Sequence, residues 1–160
     1  MRLETAVKPI EILLVEDNPG DVRLAREALK DGKVLNNLMV AEDGEVALQM
    51  LRKEGKYRDS TTPDIVLLDL NLPKKDGLEV LQEIKSDPDL KVIPVVILTT
   101  SESDEDILKS YKLHANCYIT KPVDLLQFLQ VIKTIESFWV SIVSLPTKRK
   151  CEKIFRKDTT

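Results

Sequence analysis

At 160 residues and 18.2 kDa the chain has room for one ordinary domain and little more. Its 42% apolar and 32% charged residues suit a globular protein. There is no spanning-length apolar run or signal-peptide core, and Cys117 and Cys151 form neither a disulfide framework nor a zinc pattern, so a cytoplasmic protein off the membrane is expected. The net charge of −3 conceals a basic end, since residues 147–160 carry six Lys/Arg against Glu152 and Asp158, leaving an acidic body ill-suited to nucleic acid.

In chain order, Ile10–Val15 is an apolar run closed by Glu16-Asp17-Asn18-Pro19-Gly20, which reads as a strand ending in two acids and a turn. Val22, Leu24, Ala25, Ala28 and Leu29 recur at helical spacing within residues 21–30, and Gly32 stops that helix. Leu38–Ala41 is a short second strand. Asp43-Gly44 opens a helix with Val46, Ala47, Met50 and Leu51 on its apolar side, ending near Gly55, and residues 56–62 read as loop.

Ile65-Val66-Leu67-Leu68 is a continuous apolar run that delivers Asp69, with Asn71, Pro73 and Asp76-Gly77 close behind. Such a run between turn signals is how a strand buried on both faces reads. Leu78, Leu81 and Ile84 mark a helix over residues 76–86. A fourth strand covers Ile93–Thr99, an acid-rich helix starts at residues 103–106 and runs to about Leu113, and a fifth strand covers Asn116–Thr120. Lys121-Pro122 ends that strand and leads into a last helix reaching about Val143. Strands alternating with helices predict an α/β fold, a doubly wound five-stranded parallel sheet with helices on both faces.

In such a sheet chemistry gathers at the carboxyl ends of the strands, in the crevice where the winding reverses. Those ends carry Glu16 and Asp17, then Asp69 with Asn71, then Thr99, then Lys121. Carboxylates brought together raise one another's pKa values, a conflict that a hard divalent cation removes. Magnesium, with oxygen ligands and retained waters, is the cation expected.

This set resembles the receiver domain of two-component response regulators, the CheY-like family, over roughly residues 9–143. Glu16-Asp17-Asn18-Pro19-Gly20-Asp21, Asp69-Leu70-Asn71-Leu72-Pro73-Lys74-Lys75-Asp76-Gly77 and Tyr118-Ile119-Thr120-Lys121-Pro122 are most similar to the cyanobacterial phytochrome response regulators, the Rcp group. The resemblance implies strand order 2-1-3-4-5. It implies a tail over residues 1–8, a receiver domain over 9–145 and a basic tail over 146–160. It further implies phosphoryl transfer from a histidine kinase to Asp69, with Mg2+ held by Glu16, Asp17, Asp69 and Asn71. Lys121 and Thr99 would bond the phosphoryl group, and Thr99 with Tyr118 would form the switch. The first acid is more often Asp in the broader family, so Glu16 is expected to reach magnesium through a water. The kinase implied is a phytochrome, with a light-independent kinase or a relay that passes the phosphate onward as the alternatives.

Only about 17 residues follow Val143, so the expected output is association rather than an attached effector domain, and the chain is not expected to be an enzyme. Phe138, Trp139 and Ile142 widen the apolar face of the last helix beyond what one sheet requires and suggest a homodimer interface. The lone His114 lies away from the acids and reads as a surface or helix-end residue. A dehalogenase-type phosphatase would need a second Asp where Asn71 stands. A flavodoxin-like cofactor binder would need amides, not Glu16-Asp17, in its first loop.

Overall fold

The structure is a computed structural model that describes residues 9–31, 35–99, 117–121, 123–124, 126–128 and 130–131, without the side chains of Asp31, Thr99, Cys117 and Tyr118. Five strands, β1 (Ile10–Val15), β2 (Asn36–Ala41), β3 (Ile65–Asp69), β4 (Val95–Thr99) and β5 (Cys117–Thr120), form one parallel sheet in the order β2-β1-β3-β4-β5. That is the order the family resemblance implies. Helices α1 (Pro19–Asp31), α2 (Gly44–Arg52) and α3 (Gly77–Ser86) supply the described crossovers.

Alternation along the strands divides the core in two, because successive side chains point to opposite faces. Leu13, Val15, Val66, Leu68, Val95 and Ile97 meet Ala47, Leu48 and Leu51 of α2 and Val80, Leu81 and Ile84 of α3. Ile12, Leu14, Ile65, Leu67, Val96, Leu98 and Ile119 face the other way, toward Ala25 and Leu29 of α1 and toward Val123, Phe128 and Val131. Every residue of β3 is buried, as its unbroken apolar run requires in a central strand covered on both sides.

The helices begin where the sequence supplies caps. Asp43 Oδ1 accepts from Val46 N at 2.9 Å and starts α2. Asp76 and Glu79 form a reciprocal capping box at the start of α3. α1 starts at Pro19 rather than Asp21, since proline's fixed φ suits the first helical turn. β2 begins at Asn36 rather than Leu38, because backbone pairing with Ile10 and Glu11 extends an edge strand through two polar residues. β4 begins at Val95 rather than Ile93, although the Pro94 carbonyl still accepts from Val66 N at 3.0 Å. Leu24 lies within α1 as read, but off its buried face, standing 48% exposed beside the buried Ala25.

The fourth helix read over residues 103–113, His114, Pro122, the helix beyond Val131 with Phe138, Trp139 and Ile142, and both tails lie outside the described residues. Among the described residues, no helix is long and apolar enough to cross a membrane.

Candidate functional site

The ends of β1 and β3 carry acids to the crevice by continuing the ladder one residue past the apolar run. Glu16 N donates to the Ala41 carbonyl at 3.0 Å, which holds Glu16 in line with β1 and buries it to 2% exposure. Asp69 is the last residue of β3, registered opposite Leu98 and equally buried. Its Oδ1 accepts from Asn71 N at 3.1 Å, a local bond that fixes the carboxylate as the chain turns away.

The turn after Asp69 is tightly built. Lys74 adopts the left-handed region at φ 63°, and Gly77 N donates to the Leu70 carbonyl at 3.2 Å. A Cβ on Gly77 would lie 2.3 Å from the Asp69 carbonyl oxygen, so the close approach of α3 to the end of β3 requires glycine. Ion pairs fasten the same turn to both neighbouring helices: Lys74 to Asp43 at 3.6 Å, and Lys75 to Glu83, which Arg52 also meets at 3.1 Å.

Glu16, Asp17 and Asp69 offer carboxylate oxygens that all lie within 4.8 Å of one another. Glu16 and Asp69 are buried and Asp17 is exposed, so the group opens to solvent on one side. Three hard oxygen donors at this spacing suit a divalent cation such as magnesium or manganese. The protein also brings a cation of its own. Lys121 Nζ lies 2.8 Å from Glu16 Oε1, 2.9 Å from Asp21 Oδ2 and 3.1 Å from Asp69 Oδ2, with its side chain 9% exposed.

The titration behaviour follows from this crowding. Burial pushes the Glu16 carboxyl up to about 7, the neighbouring Asp69 adds to the rise, and the Lys121 ammonium opposes it. Burial works against the charge on Lys121, but hydrogen bonds to Glu16, Asp21 and Asp69 outweigh it and hold the group above the ordinary lysine value. Lys121 therefore stays protonated through neutral pH, while Glu16 is poised to take or release a proton there.

The structure thus brings together Glu16, Asp17, Asp69, Lys121 and the backbone of Asn71, whose side chain is exposed. Thr99 ends β4, its backbone paired with that of Thr120, and Tyr118 lies on β5 opposite Ile97. The Thr99 hydroxyl and the Tyr118 ring lie outside the described residues. Sequence reasoning gave Lys121 a phosphoryl partner alone, whereas it bridges three carboxylates. Sequence reasoning also gave no part to Asp21, one turn beyond the acid pair; its place within the quoted motif was the one available signal.

Residues 12–133 match the family model described as the response regulator receiver domain. The chain belongs to the response regulator receiver family. This receiver is 51% identical over 138 residues to "Response regulator Rcp1" of Synechocystis sp. (strain ATCC 27184 / PCC 6803 / Kazusa), spanning 86% of this chain and 94% of that protein. It is similar, at TM-score 0.72 and 54% identity, to the phosphorylated cyanobacterial phytochrome response regulator RcpA, covering 88% of this chain and 100% of the other. The Mn(2+)-bound form of Rcp1 superposes at TM-score 0.70 with 50% identity, covering 87% and 100%. Phosphorylation on aspartate is typical of the family, whose receivers act in two-component signalling with histidine kinases. Receiver domains bind Mg2+ at an acidic pocket, and the acid cluster is consistent with that.

Proposed function

We propose that this receiver accepts a phosphoryl group on Asp69 from the phosphohistidine of a phytochrome-type histidine kinase. The observation that carries the reading is the setting of Asp69: a buried strand-end carboxylate held at one oxygen by Asn71 N and at the other by Lys121, with Glu16 and Asp17 alongside. In the reaction an Asp69 oxygen attacks phosphorus, the phosphorus–nitrogen bond to the histidine breaks, and an acyl phosphate forms. The transition state spreads negative charge over three equatorial oxygens, so positioning and charge compensation are the protein's main tasks.

Asp17, Asp69 and the Asn71 carbonyl would hold Mg2+, with Glu16 assisting. When bound, the ion supplies charge neutralisation and a fixed direction of approach for the phosphoryl oxygens. Lys121 turns one N–H toward a phosphoryl oxygen, a charge-assisted bond. The Thr99 hydroxyl takes another, and the movement of Thr99 allows Tyr118 to change position, altering the surface near β5. Asn71 stands where a phosphatase of the dehalogenase type would carry its general acid, which favours an acyl phosphate that accumulates over turnover of small substrates.

The phytochrome assignment is supported by the relatives, RcpA being a cyanobacterial phytochrome response regulator. Output through self-association is supported by the spacing of Phe138, Trp139 and Ile142. The test of the central reaction is mass spectrometry after exposure to a phosphorylated phytochrome kinase, or to acetyl phosphate, with magnesium. The wild-type chain gains one phosphoryl group that is lost in Asp69→Asn and absent when magnesium is chelated. Full labelling of Asp69→Asn would refute the assignment.

A further inference from the structure

Lys121 has three N–H bonds and three carboxylate partners. Two of them, Glu16 and Asp69, are buried strand-end acids, but the third comes from a helix. Asp21 lies in the first turn of α1 and reaches Lys121 Nζ at 2.9 Å across a sequence separation of 100 residues. Its carboxylate is available because the start of α1 is capped by others. Asn18 Oδ1 accepts from Asp21 N at 3.0 Å, and Glu16 Oε2 accepts from Asn18 N at 3.2 Å. The second bond is the one that an acid at the position of Asp21 would supply in a capping box. The negative charge of Asp21 is also favoured at the helix N-terminus.

We propose that Asp21 is a positioning residue for Lys121, tethering its ammonium so that one N–H stays aimed at Asp69. The proposal rests on reading Asp69 as the phosphoacceptor. When Asp69 becomes an acyl phosphate, Lys121 transfers one donor from the carboxylate to a phosphoryl oxygen. With Glu16 and Asp21 holding the other two, the free donor has one direction left. Without Asp21, the four-carbon stem regains rotamer freedom. The tether also joins the β1–α1 turn to the end of β5, so the donor is held from both sides of the crevice.

The experiment compares Asp21→Ala, Asp21→Asn and Asp21→Glu with wild type by two readouts. The first is the lysine ammonium proton–nitrogen spectrum, with the Lys121 signal assigned through Lys121→Arg. That signal is expected in wild type, where the ion pairs slow exchange, and is lost or broadened in Asp21→Ala and Asp21→Asn. The second is the acetyl phosphate labelling rate with magnesium, expected to fall about fivefold in the same variants, the scale of a partly exposed ion pair. Magnesium affinity stays unchanged by calorimetry, and Asp21→Glu recovers signal and rate. An unaltered Lys121 signal in Asp21→Ala, or a rate loss explained by weaker magnesium binding, would overturn the proposal. Should Asp21→Ala fail to fold, Asp21→Asn carries both readouts. Should wild type take no label, the reading of Asp69 fails while the lysine spectrum still decides the tether.

Discussion

Glu16 is the residue at which the fold and the site are in conflict. The β1 ladder holds its backbone and leaves its carboxyl 2% exposed, beside Asp69 and Lys121. Burial is the main cause of its rise from 4.5 to about 7, so the folded protein holds this proton more tightly than the unfolded chain. Between those values the native state binds more protons, and stability contributed by Glu16 falls as pH rises. Below pH 4.5 and above about 7 the contribution is flat. With magnesium chelated, the unfolding free energy of wild type relative to Glu16→Gln is expected to drop by up to about 3 kcal/mol between pH 4.5 and 7.5, measured by denaturant titration. A difference that is constant or rising with pH would show that Glu16 is ionised throughout. This acid, like Asp17 and Asp69, was legible in the sequence because an apolar run places the next residue at a strand end. Asp21 was not, because the register of one segment does not say how far a helix side chain reaches toward a loop 100 residues away.

At the scale of elements, the central strands were the most legible parts, since β3 runs apolar up to Asp69 and β1 is apolar from Ile12 to Val15, stretches that need burial on both faces. Boundaries were less so where backbone pairing overrides composition, as at Asn36 and Asn37 on the edge strand β2. The join between β3 and α3 was readable as a turn from Pro73 and Asp76-Gly77, but its tightness was not. Gly77 is needed for space: a Cβ would stand 2.3 Å from the Asp69 carbonyl oxygen and 2.7 Å from Leu70 Cα, both backbone atoms with no freedom to yield. Gly77→Ala is therefore expected to push α3 away from the end of β3 and cost about 1–3 kcal/mol, the range for overpacking a tight contact. The displacement also disturbs the Asn71–Asp69 bond, so the variant should bind magnesium more weakly even under conditions where it remains folded. Calorimetry beside a denaturation curve separates the two losses. Wild-type stability in Gly77→Ala would mean that the turn relaxes at no cost.

Across the whole molecule, the sheet is a partition whose two faces have different coverings. α2 and α3 close one face, while α1 and the helical residues 126–128 and 130–131 close the other. Phe128 at 2% and Val131 at 8% exposure are packed against that face of the sheet. The apolar spacing read from the sequence continues through Ile135, Phe138, Trp139 and Ile142. Under the proposed output by self-association, a second copy of the chain would cover the apolar positions Phe138, Trp139 and Ile142. Sedimentation velocity is expected to show a dimer that Phe138→Glu with Trp139→Glu converts to monomer. Each aromatic contributes about 2 kcal/mol of burial, so the pair weakens association at least about a hundredfold. A wild-type chain that sediments as a monomer at high concentration, phosphorylated or not, removes self-association as the output.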